Sequence, residues 1–364
     1  MQLPSALSWL IDAASASSGA DRLLAELGSR LIADGLPLAG GALTLAVPHP
    51  IIARRTWLWR ADSGALIEAL GFAGTALEAE GPAAASGDAG RRWLAALAPG
   101  VVHEDGAGSG SDGPVLSWIG PRAFTAAETD LLRQAARFAT APLAAIAARA
   151  TLTAALEAYL GRRSAERVLA APLRRGFGET IRAALLYADL RGFTGLSETA
   201  PPAEVIAALD AWFDRVAGAV HAFGGEVLKF IGDGVLAIFP VSGGSPRGAC
   251  DAALRAVSAA RAGMAHLDAT RRARGLPPLP FGVALHLGEI LWGNIGAADR
   301  LDFTAIGPAV NLVSRLEGLC RPLERVVLVS GAVAAETDMP VIFLGTHPLR
   351  GIATPCAVFT VPED

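Results

Sequence analysis

The chain has 364 residues, of which 52% are hydrophobic and 18% are charged, and its formal net charge is −4. This composition is typical of a globular protein of two or three domains, and a slightly acidic chain without a basic block argues against nucleic acid as a partner. The most apolar stretch, residues 138–148, is interrupted by Pro142 and is shorter than the roughly 20 residues of a membrane span, so we predict none.

The N-terminus and the cysteines indicate the cellular compartment. The first residues lack a basic segment, and Asp12 interrupts their apolar part, which argues against a secretory signal. Cys250, Cys320 and Cys356 lie far apart in the sequence and outside any metal-ligand spacing, so we expect reduced thiols. Both observations predict a cytoplasmic protein.

Residues 1–124 have the pattern of a small α+β domain. Alternating apolar residues predict strands at 41–47, 53–60 and 114–120, and leucines on one face predict a helix at 21–35. The run "DGAGSGSDG" at 105–113 is predicted to be a flexible loop. The order and size of these elements loosely resemble a GAF-type sensor, which implies an unknown small-molecule or protein regulator.

Residues 125–177 are predicted to form a helical stalk and a connector. Thr125 and Glu128 have the spacing of a capping box, after which apolar residues continue beyond a kink at Pro142 as far as Leu160. Two interpretations remain open for this helix. It packs on its own domain, or it forms a parallel dimer stalk between two domains.

Residues 178–364 are predicted to form a second domain. Strands are expected at 181–190, 281–290 and 325–330, with a hairpin at 225–240 around a Gly-Asp-Gly turn, and a final strand pair near 341–348 and 356–361. Helices are expected at 201–224, 247–272 and around 309–320. The order βαββαβ predicts an α+β, ferredoxin-like sandwich, a fold that by itself does not reveal a function.

Two carboxylates are expected to meet in this domain. Asp189 ends the first strand and Asp233 lies in the hairpin, and these elements can lie side by side in a βαββαβ sheet. Each acid alone would be read as a turn or cap residue, but two adjacent carboxylates repel each other unless a cation such as Mg²⁺ or Mn²⁺ lies between them. Gly192 and Phe193, at the start of a helix, supply backbone amides suited to phosphate oxygens.

Three segments, "YADLRGFT", "LKFIGDGVLAIF" and "DFTAIGPAVNLVSRLE", together resemble the class III nucleotidyl cyclase catalytic domain over residues 178–364. The resemblance implies that two Mg²⁺ or Mn²⁺ ions bind each active site. The metal-binding positions that it implies are Asp189, Asp233 and Leu190. It further implies that Asn311 and Arg315 orient the ribose and neutralise charge on the α-phosphate, while Gly192, Phe193 and Thr194 contact the phosphates.

The same resemblance bears on the nucleotide base. Lys229 matches the purine-reading lysine of the family, and Thr304 matches its partner position, where many relatives carry Asp. A lysine suits the N1 acceptor of adenine, so ATP is the expected substrate, although a threonine hydroxyl can donate as well as accept. Two departures from the family pattern are Pro308, which replaces an acid, and Arg350, which replaces the triphosphate-binding lysine and keeps its charge.

The resemblance therefore implies a homodimeric adenylate cyclase that converts ATP to 3′,5′-cyclic AMP and pyrophosphate, with each site shared by two chains and regulated by the N-terminal domain. Two alternatives stay open. The first is a guanylate cyclase, which Lys229 disfavours, and the second is a catalytically silent nucleotide-binding or dimerisation module. His286 lies in an apolar strand and is expected to be a packed residue without a catalytic role.

Overall fold

The computed structural model describes residues 3–14, 19–46, 52–72, 88–107, 113–171, 174–176, 178–241, 243 and 245–362. The chain divides into two compact units, Met1–Ala155 and Leu156–Asp364. The boundary between the units, at residues 155 and 156, falls inside one long helix and coincides with neither expected domain limit. The limits at 124 and 177 stay predictions.

The first unit is an antiparallel sheet with helices, as the α+β prediction requires. Its strands are β1 (Gly40–Ala46), β2 (Ile52–Arg60), β3 (Leu66–Phe72), β4 (His103–Gly106) and β5 (Val115–Ile119), in the order β3-β2-β1-β5-β4. Its helices are α1 (Ser5–Asp12), α2 (Ala20–Ala33) and α3 (Asp88–Leu97). The predicted leucine face of α2 is buried, and Leu23, Leu27 and Leu31 are fully enclosed. The predicted loop at 105–113 begins too early, because Asp105 and Gly106 belong to β4, and residues 108–112 lie outside the described residues.

Helix α4 (Ala126–Leu160) begins with the predicted capping box. The Thr125 amide donates to the Glu128 carboxylate at 2.7 Å, and the Glu128 amide donates to the Thr125 hydroxyl at 3.3 Å. The helix continues through Pro142 as one element, whereas two segments were expected. Leu132 and Leu143 pack in the hydrophobic core of the first unit, so the N-terminal half of α4 behaves as a core helix.

Among the described helices, α4 is the one that is long and apolar enough to cross a membrane by length and composition. A single helix of this kind is weak evidence for a span, because core helices meet the same criterion. The prediction that the chain has no membrane span stays a prediction.

The second unit begins at the end of α4. Its helices are α5 (Arg162–Ala170), α6 (Phe193–Thr199), α7 (Pro202–Ala222), α8 (Pro246–Ala273), α9 (Pro308–Glu317) and α10 (Gly331–Ala334). Its strands are β6 (Gly178–Leu190), β7 (Glu226–Ile231), β8 (Gly234–Pro240), β9 (Phe281–Gly296), β10 (Leu301–Ile306), β11 (Val327–Ser330), β12 (Ile342–His347) and β13 (Cys356–Thr360).

These strands form the predicted ferredoxin-like sandwich. The sheet order is β12-β13-β11-β9-β6-β8-β7, and the run β9-β6-β8-β7 corresponds to strands 4-1-3-2 of the βαββαβ unit. Both faces of the sheet are covered. On β6, Leu186 and Ala188 pack with α7 and α8, whereas Ala183 and Leu185 face the core that includes α9.

The β9–β10 hairpin was not predicted. β9 extends to Gly296, six residues beyond the expected end, and pairs antiparallel with β10. β10 has only six residues, and it alternates, with Phe303 and Ala305 in the core and Asp302 and Thr304 on the other face. The hairpin carries Thr304, one of the predicted site residues.

Helix α5 is fastened to the sheet by polar contacts. The buried carboxylate of Glu226 on β7, 3% exposed, accepts from the Ser164 amide at 2.8 Å and from the Ser164 hydroxyl at 2.6 Å. Arg167 lies 4.2 Å from the ring centre of Trp292 on β9 and forms an ion pair with Glu179 on β6 at 2.5 Å. The helix is thereby connected to three strands.

We predict that Glu226→Ala destabilises the second unit by about 1–3 kcal/mol, because the substitution leaves two donors of Ser164 without their acceptor. Urea unfolding and hydrogen exchange at the first turn of α5 would measure the loss. The matched control is Glu166→Ala on the same helix, whose exposed ion pair with Arg162 should contribute less than about 0.5 kcal/mol. Equal losses in both variants would contradict the assignment.

Candidate active site

Asp189 and Asp233 come together at one end of the second sheet. Asp189 is the penultimate residue of β6, and Asp233 lies in the turn between β7 and β8, after Gly232 with φ of 63°. β6 pairs directly with β8, with Ala188 opposite Val235, and this register places the two acids side by side. The indole of Trp212 donates to the Asp233 carbonyl at 2.9 Å and holds the turn in place.

The position of Asp189 raises the pKa of its carboxyl group. Burial, the negative charges of Asp233 and Glu317 and a hydrogen bond with Asp233 together raise this pKa to about 7, against an opposing hydrogen bond from the Leu190 amide. Asp189 is therefore partly protonated near neutral pH, and a bound cation would displace that proton.

The carboxylate oxygens of Asp189 and Asp233 are suitable ligands for a hard divalent cation such as Mg²⁺ or Mn²⁺. The described residues contain no group of three or more His, Cys, Asp or Glu side chains arranged to hold a metal. Asp189 and Asp233 would thus supply two carboxylates, and the apolar side chain of Leu190 leaves only its backbone carbonyl as a ligand. Mg²⁺ is commonly held in this way, with water and substrate phosphates completing its coordination.

Glu317 and Tyr187 line the same end of the sheet, and the sequence analysis did not identify either. Burial raises the pKa of Glu317, and Arg191 opposes this shift. Burial, with Asp189, Glu317 and Asp233, raises the pKa of Tyr187 to about 12, so its hydroxyl remains protonated. A side chain at Gly282 would place a Cβ 2.3 Å from Glu317, and the glycine is therefore required for this approach.

Arg191 anchors the chain that follows Asp189. Its backbone amide donates to the Pro280 carbonyl at 2.7 Å, and its guanidinium donates to the Arg325 carbonyl at 2.5 Å. Both Arg191 and Glu317 lie within the motifs quoted above, so their place in those motifs was the signal available for them.

The predicted phosphate contacts lie directly after Arg191. Gly192 adopts a left-handed conformation with φ of 76° and precedes the first turn of α6, which contains Phe193 and Thr194. Amides in a first helical turn have no partner within the helix. These amides are therefore available to an anion next to Asp189 in the chain.

Lys229 forms an ion pair with Asp302, which the sequence analysis did not identify. A bulge in β7 directs this contact. Val227 pairs with Ala237 while Lys229 pairs with Leu236, so one extra residue turns Lys229 to the face opposite that of Val227. Thr304 follows two residues after Asp302 on the same face of β10 and is buried.

Asn311 and Arg315 lie on the outer face of α9. Ala309, Val313 and Leu316 form its buried face, whereas Asn311 and Arg315, four residues apart, are exposed. Pro308 occupies the first position of this helix, where a missing amide proton removes no helical hydrogen bond, which explains the departure at this position.

Arg350 is exposed between β12 and β13. In the described part of the chain, no hydrogen bond or ion pair joins Asn311, Arg315 or Arg350 to Asp189 or Asp233. Among the described residues, the predicted site residues of one chain thus form an acid pair, the Lys229–Asp302 ion pair, and exposed residues without a hydrogen bond or ion pair to the acids.

His286 is a packed strand residue, as expected. Its ring Nδ1 lies 2.9 Å from the Ser330 hydroxyl. Burial lowers the pKa of His286 to about 4, so the ring is neutral at neutral pH.

Comparisons with known proteins concern the second unit. Adenylate cyclase 1 of Rhizobium meliloti is 35% identical over 178 residues, which are 48% of this chain and 27% of that protein. Adenylate cyclase of Anabaena cylindrica is 31% identical over 172 residues, which are 46% of this chain and 33% of that protein. The chain therefore spans about a quarter to a third of the length of these curated relatives.

Among solved structures, the adenylyl cyclase CyaB from P. aeruginosa is 26% identical, with a TM-score of 0.47 over 52% of this chain and 97% of that chain. Residues 179–339 match the family described as the adenylate and guanylate cyclase catalytic domain. This range contains every predicted site residue except Arg350, and residues 179–339 therefore form an adenylate and guanylate cyclase catalytic domain of class III.

Proposed function

We propose that the chain is an adenylate cyclase, which converts ATP to 3′,5′-cyclic AMP and pyrophosphate. The observation that carries the proposal is the meeting of Asp189 and Asp233 at the end of the sheet, where burial and neighbouring negative charges raise the pKa of Asp189 to about 7. The names of the two bacterial relatives support the choice of ATP.

Asp189, Asp233 and the Leu190 carbonyl would hold two Mg²⁺ or Mn²⁺ ions, which activate the ribose 3′-hydroxyl and neutralise charge on the triphosphate. Residues of the chain bind and orient the phosphates, the ribose and the base. Amides at Gly192, Phe193 and Thr194 bind phosphate oxygens, because their positive ends point out of the first turn of α6.

Two further cations act on the phosphates. Arg315 neutralises the charge that develops on the α-phosphate as the ring closes, and Asn311, on the same helix face, orients the ribose. Arg350 binds the terminal phosphates, and its planar fork suits two phosphate oxygens. Lys229 donates to N1 of adenine, and the Thr304 hydroxyl accepts from the N6 amino group.

We propose that two chains share each active site. Asn311 and Arg315 are exposed on α9, and among the described residues they form no hydrogen bond or ion pair with the acid pair of their own chain. This supports a site that combines the acid pair of one chain with the Asn311 and Arg315 of its partner. Leu152 and Tyr159 on α4 are 52% and 89% exposed, which supports a dimer stalk in the cytoplasmic protein. We further propose that residues 1–124, which lie in the first compact unit, regulate the activity of the second.

Replacing Asp189 or Asp233 by Asn should lower the rate of cyclic AMP formation by orders of magnitude while the fold is retained, because the change removes a charged metal ligand and nearly keeps its shape. The purified proteins would be incubated with ATP or GTP and Mn²⁺, and their products identified by mass. Asp338→Asn is the control, since that acid pairs with Arg247 on the surface. Near-normal rates in either active-site variant, or cyclic GMP as the main wild-type product, would refute the proposal.

The raised pKa of Asp189 predicts a pH dependence of metal binding. Since the pKa of Asp189 is raised to about 7, the proton must leave before a cation binds, and Mn²⁺ affinity should rise about tenfold between pH 6 and pH 8. Without a bound cation, the free energy of unfolding should change with pH in the opposite direction. Because the pKa of Asp189 is raised in the folded state, the folded protein binds more protons than the unfolded chain, and its stability falls as pH rises towards 7.

Titration calorimetry with Mn²⁺ alone at both pH values would measure this dependence. Asp189→Asn, which has no proton to release at this position, should bind weakly at both. Equal wild-type affinity at pH 6 and pH 8 would show that the acid pair does not hold the metal.

Mixed dimers test the shared site. Asp189→Ala and Asn311→Ala chains should each be inactive, and their co-expression should restore roughly a quarter of wild-type activity, because about half of randomly paired dimers are mixed and each has one intact site. Differential affinity tags would isolate the mixed dimers. Absence of activity in verified mixed dimers would place the whole site within one chain.

A further inference from the structure

Helix α9 approaches β9 closely at two glycines. A Cβ at Gly288 would lie 2.6 Å from the Ala309 Cβ, and a Cβ at Gly282 would lie 2.3 Å from a carboxylate oxygen of Glu317. Ala309 and Glu317 belong to the first and last turns of α9. A larger residue at either glycine would push the helix away from the strand, so these two contacts define where α9 lies on the sheet.

Glu317 brings a third carboxylate to the metal-binding end of this sheet. Its carboxylate lies against Gly282, which pairs directly with Asp189. Burial raises the pKa of Glu317, Arg191 opposes this shift, and the charge of Asp233 adds to it. A glutamine would have nearly the same shape without this repulsion. The negative charge is therefore unfavourable for folding and calls for another explanation.

Arg191 is the positive group that attracts Glu317, and its guanidinium is only partly hydrogen-bonded. One nitrogen donates to the Arg325 carbonyl at 2.5 Å. Its Nε is buried and has no hydrogen-bond partner within the part of the chain that the structure describes. In that same part of the chain, no ion pair joins Arg191 to Glu317, although their charges attract each other. Arg191 therefore keeps a buried donor available to a carboxylate close by.

We propose that Glu317 is a positioning residue that links the two active sites of a dimer. Cation binding at the acid pair of one chain draws Glu317 to Arg191, and the end of α9 moves with it. Arg315 lies two residues before Glu317 on this helix, and its guanidinium belongs to the site that the acid pair of the partner completes. The inference rests on the proposed function and deepens it by assigning how one shared site affects the other.

The direction of the effect follows from the charges. Without a cation, Asp189 and Asp233 repel the Glu317 carboxylate and compete with it for the guanidinium of Arg191. A divalent cation neutralises the acid pair, so the repulsion ends and Glu317 accepts a charge-assisted hydrogen bond from the Arg191 Nε. Occupation of the first site thereby positions Arg315 for the second site, which is positive cooperativity.

Hydrogen exchange of the α9 amides tests this link without turnover. Adding Mn²⁺ alone to the wild type should slow exchange in the last turn of α9 about tenfold, because the helix end gains a fixed contact. In Glu317→Gln, which keeps the shape and removes the charge, the slowing should be less than about twofold. Glu324→Gln is the matched control, since Glu324 is an exposed acid after α9, and it should respond as the wild type does. Equal slowing in the wild type and Glu317→Gln, or none in either, would overturn the inference.

Two further measurements separate an effect on α9 from an effect on metal binding or folding. The Mn²⁺ affinity of Glu317→Gln by calorimetry should stay within about tenfold of the wild-type value. Its Tm should not fall, because the substitution removes a partly buried charge from a repulsive position. A larger loss of Mn²⁺ affinity would make Glu317 a metal ligand, and a lower Tm would make it a structural residue. Either result would contradict a positioning role.

The same link should be visible in the kinetics. Wild-type cyclic AMP formation should depend on ATP with a Hill coefficient above about 1.3, and Glu317→Gln should bring it to about 1 and lower kcat. Purified mixed dimers of Asp189→Ala and Asn311→Ala chains should have less than about half of the wild-type activity, since α9 of their one site belongs to the chain without a working acid pair. The quarter expected on co-expression of independent sites is then an upper value.

The outcomes distinguish this inference from the proposed function. A wild type that forms cyclic AMP with a Hill coefficient of 1, or whose α9 does not respond to Mn²⁺, would refute the inference alone. A wild type that forms no cyclic nucleotide, but whose α9 responds to Mn²⁺ through Glu317, would refute the proposed function and leave the contact between Glu317 and Arg191 standing.

Discussion

The sheet of the second unit places two carboxylates next to each other, and the surrounding structure must hold them there against their mutual repulsion. Asp189 and Asp233 lie side by side because β6 pairs with β8 in a single register, and a slip by one residue would send Asp189 to the opposite face of the sheet. Nearby groups maintain this unfavourable approach. Trp212 holds the turn, Arg191 fixes the following segment, and partial burial weakens the screening of the charges by water.

Local patterns in the sequence predicted much of the fold. The capping box at Thr125 and the βαββαβ order are confirmed, because caps and amphipathic periods are encoded by residues close together in the chain. β10 was missed, since six residues between turns give little periodicity. Asp302 was missed for a different reason: its partner lies 73 residues away, and an ion pair across that separation has no local signature.

In the candidate site, too, some features could be predicted from the sequence and others depend on residues that are distant in the chain. The approach of Asp189 to Asp233 could be predicted because strand order alone brings their elements together. The surroundings of the pair could not, since Glu317 reaches it only where Gly282 leaves room for its carboxylate. Arg315, exposed on α9, carries the opposite charge to the acid pair, yet among the described residues no ion pair joins the two within one chain.

The bulge in β7 constrains how this domain can be altered. Glu226 and Lys229 are three residues apart, yet both lie on the face that includes Leu236 and Ile238, because Leu228 is the extra residue in the ladder. If the bulge were lost without a deletion, Leu228 would pair with Leu236 and Lys229 with Val235, and the Lys229 ammonium would point into the core beneath α7 although no residue had changed. A chimera that exchanges β7 must therefore preserve the bulge as well as the lysine.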